Sequence, residues 1–185
     1  MSRLRIFADS DAKNPLFVTG DHAAIAHKLA EHGARFERWQ ASAAIVAGDS
    51  PDAVIAAYRS DIERLRTEGG YQAVDVISLD PNHPQKEVLR RKFLDEHTHS
   101  EDEVRFFVAG SGLFSLHLGS QVFEVLCEQG DLISVPANTK HWFDMGPEPS
   151  FVAIRLFTNP TGWVANFTGN QIALQFPRYE IGQAR

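Results

Sequence analysis

The sequence predicts a mostly β fold, a barrel-like body of antiparallel strands with helices packed outside its N-terminal side. Three observations carry this. From Tyr71 onward the apolar residues fall into short runs rich in Val, Ile, Leu and Phe, most of them separated by glycine, proline or polar pairs. Helical segments do not alternate with those runs, as a doubly wound parallel sheet would require. Before Tyr71 the periodicity is helical instead. The chain of 185 residues is therefore read as one domain (1–185), with residues 1–70 as a helical cover and residues 71–185 as the β-barrel body.

The cover is justified by its helix signals. "TGDHAAIAHKLAEHG" offers Asp21 as an N-cap, alanine-rich helix formers and Gly33 as a stop. "SPDAVIAAYRSDIERLRTEGG" has Ser50 as N-cap, Pro51 at the first helical position and Gly69-Gly70 at the end. Val54, Ile55, Tyr58, Ile62 and Leu65 recur there at helical spacing and should pack on the body. His22, His27 and His32 are five apart, share no face and are expected at the surface. The body follows as "YQAVDVISL", "EVRFFVAG", "GLFSLHLG", "QVFEVLCEQG", "DLISVP" and "FVAIRLFT".

Composition narrows the function. With 43% hydrophobic residues a full core is available. Eighteen Lys and Arg against 24 Asp and Glu leave a formal charge of -6, which argues against a nucleic-acid partner. The densest basic triplet, "RRK" at 90–92, reads as a solvated face. No apolar run is long enough to span a membrane, and "MSRLRIFADSD" has no apolar leader core. Cys127 is the only cysteine, which excludes an intrachain disulfide and suits a reducing, cytoplasmic compartment; it reads as a packed, inert thiol. A monomer acting on a small molecule is expected.

The chemistry concentrates in "DEHTHSEDEVRFFVAGSG", residues 95–112. In an extended segment His97 and His99 point to one face and can converge on a metal ion. "SED" turns the chain, so parity does not carry across it. Beyond the turn Glu103, Arg105 and Phe107 share one strand face, and Val104, Phe106 and Val108 the other. If Glu103 faces the histidines, Arg105 places a fixed positive charge beside them. "GDLISVPANTKHWF" supplies a fourth candidate, His141, after a turn that follows Pro136. Three imidazoles and one carboxylate suit a borderline divalent ion such as Fe(II), Ni(II), Mn(II) or Zn(II). A tetrahedral ion would be closed by four ligands, whereas an octahedral one would keep two positions for substrate or O2. His83 and His117 lack sequence partners and are expected to be structural.

"HTHSEDEVRFFVAG" fits the first cupin motif, and "GDLISVPANTKH" resembles the second, with Asn138 where that motif prefers glycine. Asparagine tolerates a left-handed backbone better than most residues, so the turn is expected to survive. "EHTHSEDEVRF", "PANTKHWFDMG" and "AIRLF" closely resemble the acireductone dioxygenase family, from the N-terminal helices to about Trp163. The resemblance implies a cupin double-stranded β-helix, or jelly-roll barrel. It implies His97, His99, Glu103 and His141 as ligands of one Fe(II) or Ni(II) per chain. It matches Glu96 to a residue associated with metal incorporation, Asp102 to one that transmits conformational change, and Arg105 to one that helps form the substrate dianion. The implied substrates are O2 and an enediol ketone, 1,2-dihydroxy-3-oxo-5-methylthiopentene, of the methionine salvage pathway. Phe93, Phe107, Phe143 and Trp163 are candidates for the wall around its methylthio tail. Another metal-dependent cupin enzyme, such as a sugar isomerase or decarboxylase, and a non-catalytic cupin binding module remain as alternatives.

Overall fold

In the computed structural model, which describes residues 1–159 and 161–180, the first part of the chain comprises β1 (Arg3–Ala8), β2 (Phe17–Thr19), α1 (His22–Ala30), β3 (Arg35–Arg38), α2 (Pro51–Ala57) and α3 (Arg59–Gly69). The second part comprises β4 (Ala73–Leu79), α4 (Lys86–Leu94), β5 (His97–Thr98), β6 (Glu103–Leu118), β7 (Gln121–Glu128) and β8 (Asp131–Val135). It continues with β9 (Lys140–Asp144), β10 (Phe151–Phe157) and β11 (Asn166–Phe167).

The helix caps act as their residue types require. The Asp21 carboxylate accepts from the Ala24 N–H at 2.8 Å, and the Ser50 hydroxyl from the Ala53 N–H at 3.3 Å. Gly70, at φ 68°, ends α3 in the left-handed region. The segment expected as one helix from residue 50 to 70 is broken at Tyr58, whose φ of -110° and ψ of 25° leave helical space. Tertiary packing holds that break: the Tyr58 ring meets Phe106 edge-on at 5.6 Å, and its hydroxyl accepts from the Ala43 N–H.

Residues 1–70 are not the purely helical cover expected from sequence. β1 lies between β2 and β7, and β3 pairs with β8, all antiparallel. "RLRIFA" is too short for a helical period to compete, and its alternation buries Leu4 and Ile6 while Arg3 and Arg5 take the other face. Conversely, α4 interrupts the body.

One strand organises the barrel. β6 is a single 16-residue strand rather than the two runs the sequence suggested. Its first half lies between β10 and β8, its second half between β7 and β9. The change of sheet occurs at a bulge and at Gly110. Opposite β6 the register slips between Val152 and Ala153, leaving Val108 as the extra residue. Gly110 sits at φ 67°, where a Cβ would fall 1.8 Å from the Ser150 carbonyl oxygen, so only glycine fits.

Inward parity therefore changes along β6. Phe107 faces the barrel core before the bulge, and Phe114 and Leu116 face it afterwards. Val104, Phe106, Val108 and Ala109 face outward and pack with Val54, Tyr58, Ile62 and Leu65 of the helices. A smaller cluster under Ile172, Ala173 and Phe176 covers the outer face of the other sheet at Phe7, Val122 and Trp142.

Candidate metal centre

β5, β6 and β9 deliver the site. His97 and His141 are direct partners across β5 and β9, and Glu103 opens β6. His99 lies just beyond β5, where its carbonyl accepts from the Asn138 N–H at 2.8 Å. Asn138 adopts φ 62°, so the left-handed turn survives without glycine. Asp102 fastens the same turn, its carboxylate accepting from the Ala137 N–H at 2.8 Å.

The three imidazoles meet with ring centroids 4.4 Å (His97–His141), 5.2 Å (His97–His99) and 5.3 Å (His99–His141) apart. One nitrogen from each lies within 4.8 Å of the others. Each Nδ1 faces a backbone carbonyl: His97 that of Asp95 at 2.7 Å, His99 that of Val164 at 3.1 Å, His141 that of Thr139 at 2.8 Å. A carbonyl can only accept, so every Nδ1 carries the proton and every Nε2 presents a lone pair.

Glu103 Oε2 stands 3.4 Å from His141 Nε2 and 3.6 Å from His99 Nε2. Neither Glu103 Oε2 nor His141 Nε2, both buried, has a hydrogen-bond partner. Lone pairs aimed at one another inside a protein are unfavourable unless a cation lies between them. The three imidazoles thus form a group that could hold a divalent metal ion, with Glu103 Oε2 beside two of them but outside that group of mutually close donors. Burial also favours the neutral, donor-ready form of His97 and His99. Burial and the neighbouring His141 lower the His97 pKa to about 3, and burial lowers that of His99. Burial would raise the Glu103 carboxyl, but the Arg105 charge and the adjacent imidazoles hold it well below the ordinary range.

Arg105 is 3% exposed. Its Nη2 donates to Glu103 Oε1 at 2.7 Å, and its guanidinium lies 4.7 Å from the Phe143 ring centroid and 4.8 Å from that of Phe114. Its buried Nη1 has no partner. His97, His99, Arg105, Phe93, Phe143 and Trp163 line one cavity of about 410 Å³.

Glu103 and His141 stand beside the imidazoles without lining that cavity, and three further candidates fall elsewhere. Phe107 is wholly buried, packs on Phe143 and Phe151, and does not line the cavity, because its face of β6 lies deeper in the core. Glu96 and Asp102, grouped by resemblance with the catalytic residues, do not line it either. Asp102 is exposed at its turn. Glu96 is buried and ties three segments together: Oε1 meets His117 Nδ1 at 2.7 Å, and Oε2 accepts from the Thr168 hydroxyl at 2.6 Å. His117, without a partner in sequence, finds one 21 residues away.

Sequence reasoning missed the rings around the imidazoles. Phe114 stacks on His141 at 5.4 Å, Phe157 meets His99 at 5.4 Å, and Phe167 meets His97 at 5.9 Å. Phe157 carried a signal, since it follows Arg155 by two on one strand. Phe114 carried none, because the bulge reverses its parity relative to Glu103.

Comparison with known proteins agrees with this geometry. The ARD/ARD' family model matches residues 3–165. An acireductone dioxygenase of Xanthomonas campestris pv. campestris (strain B100) is 60% identical over 179 residues, covering 97% of this chain and 95% of that protein. One from Stenotrophomonas maltophilia (strain R551-3) is 59% identical over 184 residues, across the full length of both. A solved structure, acireductone dioxygenase from Bacillus anthracis with a cadmium ion in its active centre, is 31% identical with a TM-score of 0.78, covering 90% of this chain and 98% of that one. Matches that run nearly end to end, and a shared fold around a metal-competent histidine cluster, place the chain in the acireductone dioxygenase (ARD/ARD') family of cupin-fold, metal-dependent enzymes.

Proposed function

We propose that the chain holds one Fe(II) or Ni(II) on His97, His99, Glu103 and His141 and uses it to cleave 1,2-dihydroxy-3-oxo-5-methylthiopentene with O2 in methionine salvage. The observation that supports this most is the set of three backbone-tethered imidazoles with converging nitrogens, two of whose Nε2 atoms lie within 3.6 Å of Glu103 Oε2. When bound, the ion supplies Lewis acidity that lowers the pKa of the enediol and orients it toward O2.

The remaining roles belong to the chain. A guanidinium is a fixed cation, and the unpartnered Nη1 of Arg105 is available to the oxygen charge of an enediol dianion. Glu103 fixes that guanidinium through Oε1 and leaves Oε2 for the metal side. Phe93, Leu89, Ile77 and Phe143 form an apolar stretch of cavity wall that can exclude water and take the methylthio tail. The uniform Nδ1 tethering holds the imidazoles in the tautomer a metal requires, so none has to rearrange. A cytoplasmic site of action fits the buried free thiol of Cys127.

Because several divalent ions suit three nitrogens and one carboxylate, the metal rather than the polypeptide is expected to choose the products. Apo protein reloaded with Fe(II) should give formate and 2-oxo-4-methylthiobutanoate. Reloaded with Ni(II), it should give methylthiopropionate, formate and carbon monoxide. Metal analysis, oxygen uptake and product identification on the two preparations test this. Identical products from both would remove metal control, and no oxygen uptake from either would remove the dioxygenase reading.

A further inference from the structure

A second arginine faces the same cavity. Arg155 on β10 is the direct cross-strand partner of Arg105 on β6, and Asp75 on β4 is the direct partner of Arg155. Both Arg155 and Asp75 line the cavity with His97, His99 and Arg105. Arg155 Nε donates to Asp75 Oδ1 at 2.8 Å and Nη2 to Oδ2 at 2.5 Å, a two-pronged pair. Its guanidinium lies 5.6 Å from the Phe157 ring centroid, and Phe157 in turn packs against His99. Three neighbouring strands thus present Asp75, Arg155 and Arg105 in one row, with Glu103 beside Arg105.

Like charges directly opposite one another on a sheet are destabilising, and the cost grows with burial. A pair that served only to staple β4 to β10 would gain nothing from standing next to Arg105. An anion in the cavity removes that cost by taking charge from both guanidinium groups. We infer that Arg155, held in place by Asp75, is a second cation that contacts the enediol dianion alongside Arg105. The inference rests on the enediol reading above and adds the residue that shares recognition of its charge. Burial works against the Arg155 charge, but the pairing with Asp75, aided by the field of Glu103, holds its pKa above the ordinary value.

Oxalate, a small dianion with paired oxygen donors, serves as the probe. It is titrated calorimetrically into Ni(II)-loaded protein whose metal content is measured before and after. Arg155→Met should weaken oxalate about tenfold, the loss of one charge-assisted contact, with nickel still near one per chain. Asp75→Asn should tighten oxalate by roughly two- to fivefold, because the competing carboxylate charge is gone while the cation remains. A merely structural staple is broken by both changes and would shift oxalate affinity in the same direction, or not at all, and either result overturns the inference. If Arg155→Met does not fold, Asp75→Asn decides alone, with weaker or unchanged oxalate binding counting against the proposal. In turnover, Arg155→Met should raise KM more than it lowers kcat, with partial rescue by Arg155→Lys. Absence of enediol oxidation in the unaltered protein would remove the substrate assignment, yet opposed oxalate shifts would still identify Arg155 as an anion contact.

Discussion

Glu103 in the barrel interior and Glu124 on the outer face of the neighbouring sheet are equally buried, each 1% exposed, and each has an arginine within 2.7 Å. Their carboxyl groups nonetheless move in opposite directions. Glu103 is held well below the ordinary carboxylate range, whereas burial raises Glu124 to about 6 against the partial opposition of Arg5. The difference lies in what else surrounds them. Arg105 is as buried as its partner and stacks between aromatic rings, so its charge acts in a poorly screened medium. Imidazoles also flank Glu103, while the side chain of Arg5 is 21% exposed and its field is partly lost to water. The same residue type at the same depth thus becomes a permanent anion in one region and a group that titrates near neutrality in the other. Burial sets the cost of charge, and the neighbours decide whether the charge is kept.

The strongest way to break the interior region is His141→Ala. It removes the nitrogen 3.4 Å from Glu103 Oε2, so metal content should fall far below one per chain and oxygen uptake should vanish. Elemental analysis with an oxygen electrode checks this. Retained metal with full turnover would show that the ion sits elsewhere.

Arg105→Met should come next. Metal should still bind at neutral pH, while kcat/KM falls about 10²- to 10³-fold, the scale for losing one preorganised charge contact. The Glu103 carboxyl would also lose its main anionic support, so metal affinity should become more sensitive to acid than in the unaltered protein. Full activity in the Met variant would reduce Arg105 to a partner of Glu103. Lysine should restore only part of the rate, since a point charge lacks the fork that holds Glu103 Oε1.

The smallest effect separates the regions by pH in the metal-free protein. Glu124, raised above its ordinary 4.5 to about 6, contributes stability that is present below 4.5 and lost as pH rises through about 6, on the order of 2 kcal/mol. His97, lowered from 6.5 to about 3, contributes stability present above 6.5 and lost as pH falls toward 3. The two slopes oppose each other where they overlap. Glu124→Gln should therefore raise apo stability near pH 7 and steepen its loss on acidification. Urea midpoints between about pH 4 and 7.5 would show this. A parallel pH profile in the variant would mean that Glu124 pays no such penalty for ionising.

The sequence by itself determined which candidate side chains share a strand face and where the helix caps fall, because both depend on neighbours close in the chain; that His141 meets His97 was decided by the pairing of β5 with β9. His97 and His99 share a face through the two-residue period of extended backbone, and Glu103 and Arg105 share one for the same reason. Asn138 could be read as a tolerable left-handed residue, and Asp21, Ser50 and Gly70 as caps, from local chemistry alone. Tertiary structure decided what required distant partners. Glu96 meets Thr168 across 72 residues, and Arg155 meets Asp75 across 80. β1 and β3 became strands because edges of the sheets were available to them at β7 and β8. The bulge at Val108 turned Phe114 inward beneath Arg105 and against His141, although period-two counting from Glu103 would have placed it outside. Local periodicity carries a face only until the backbone adds one unpaired residue, and the position of that residue is set by the strand paired opposite.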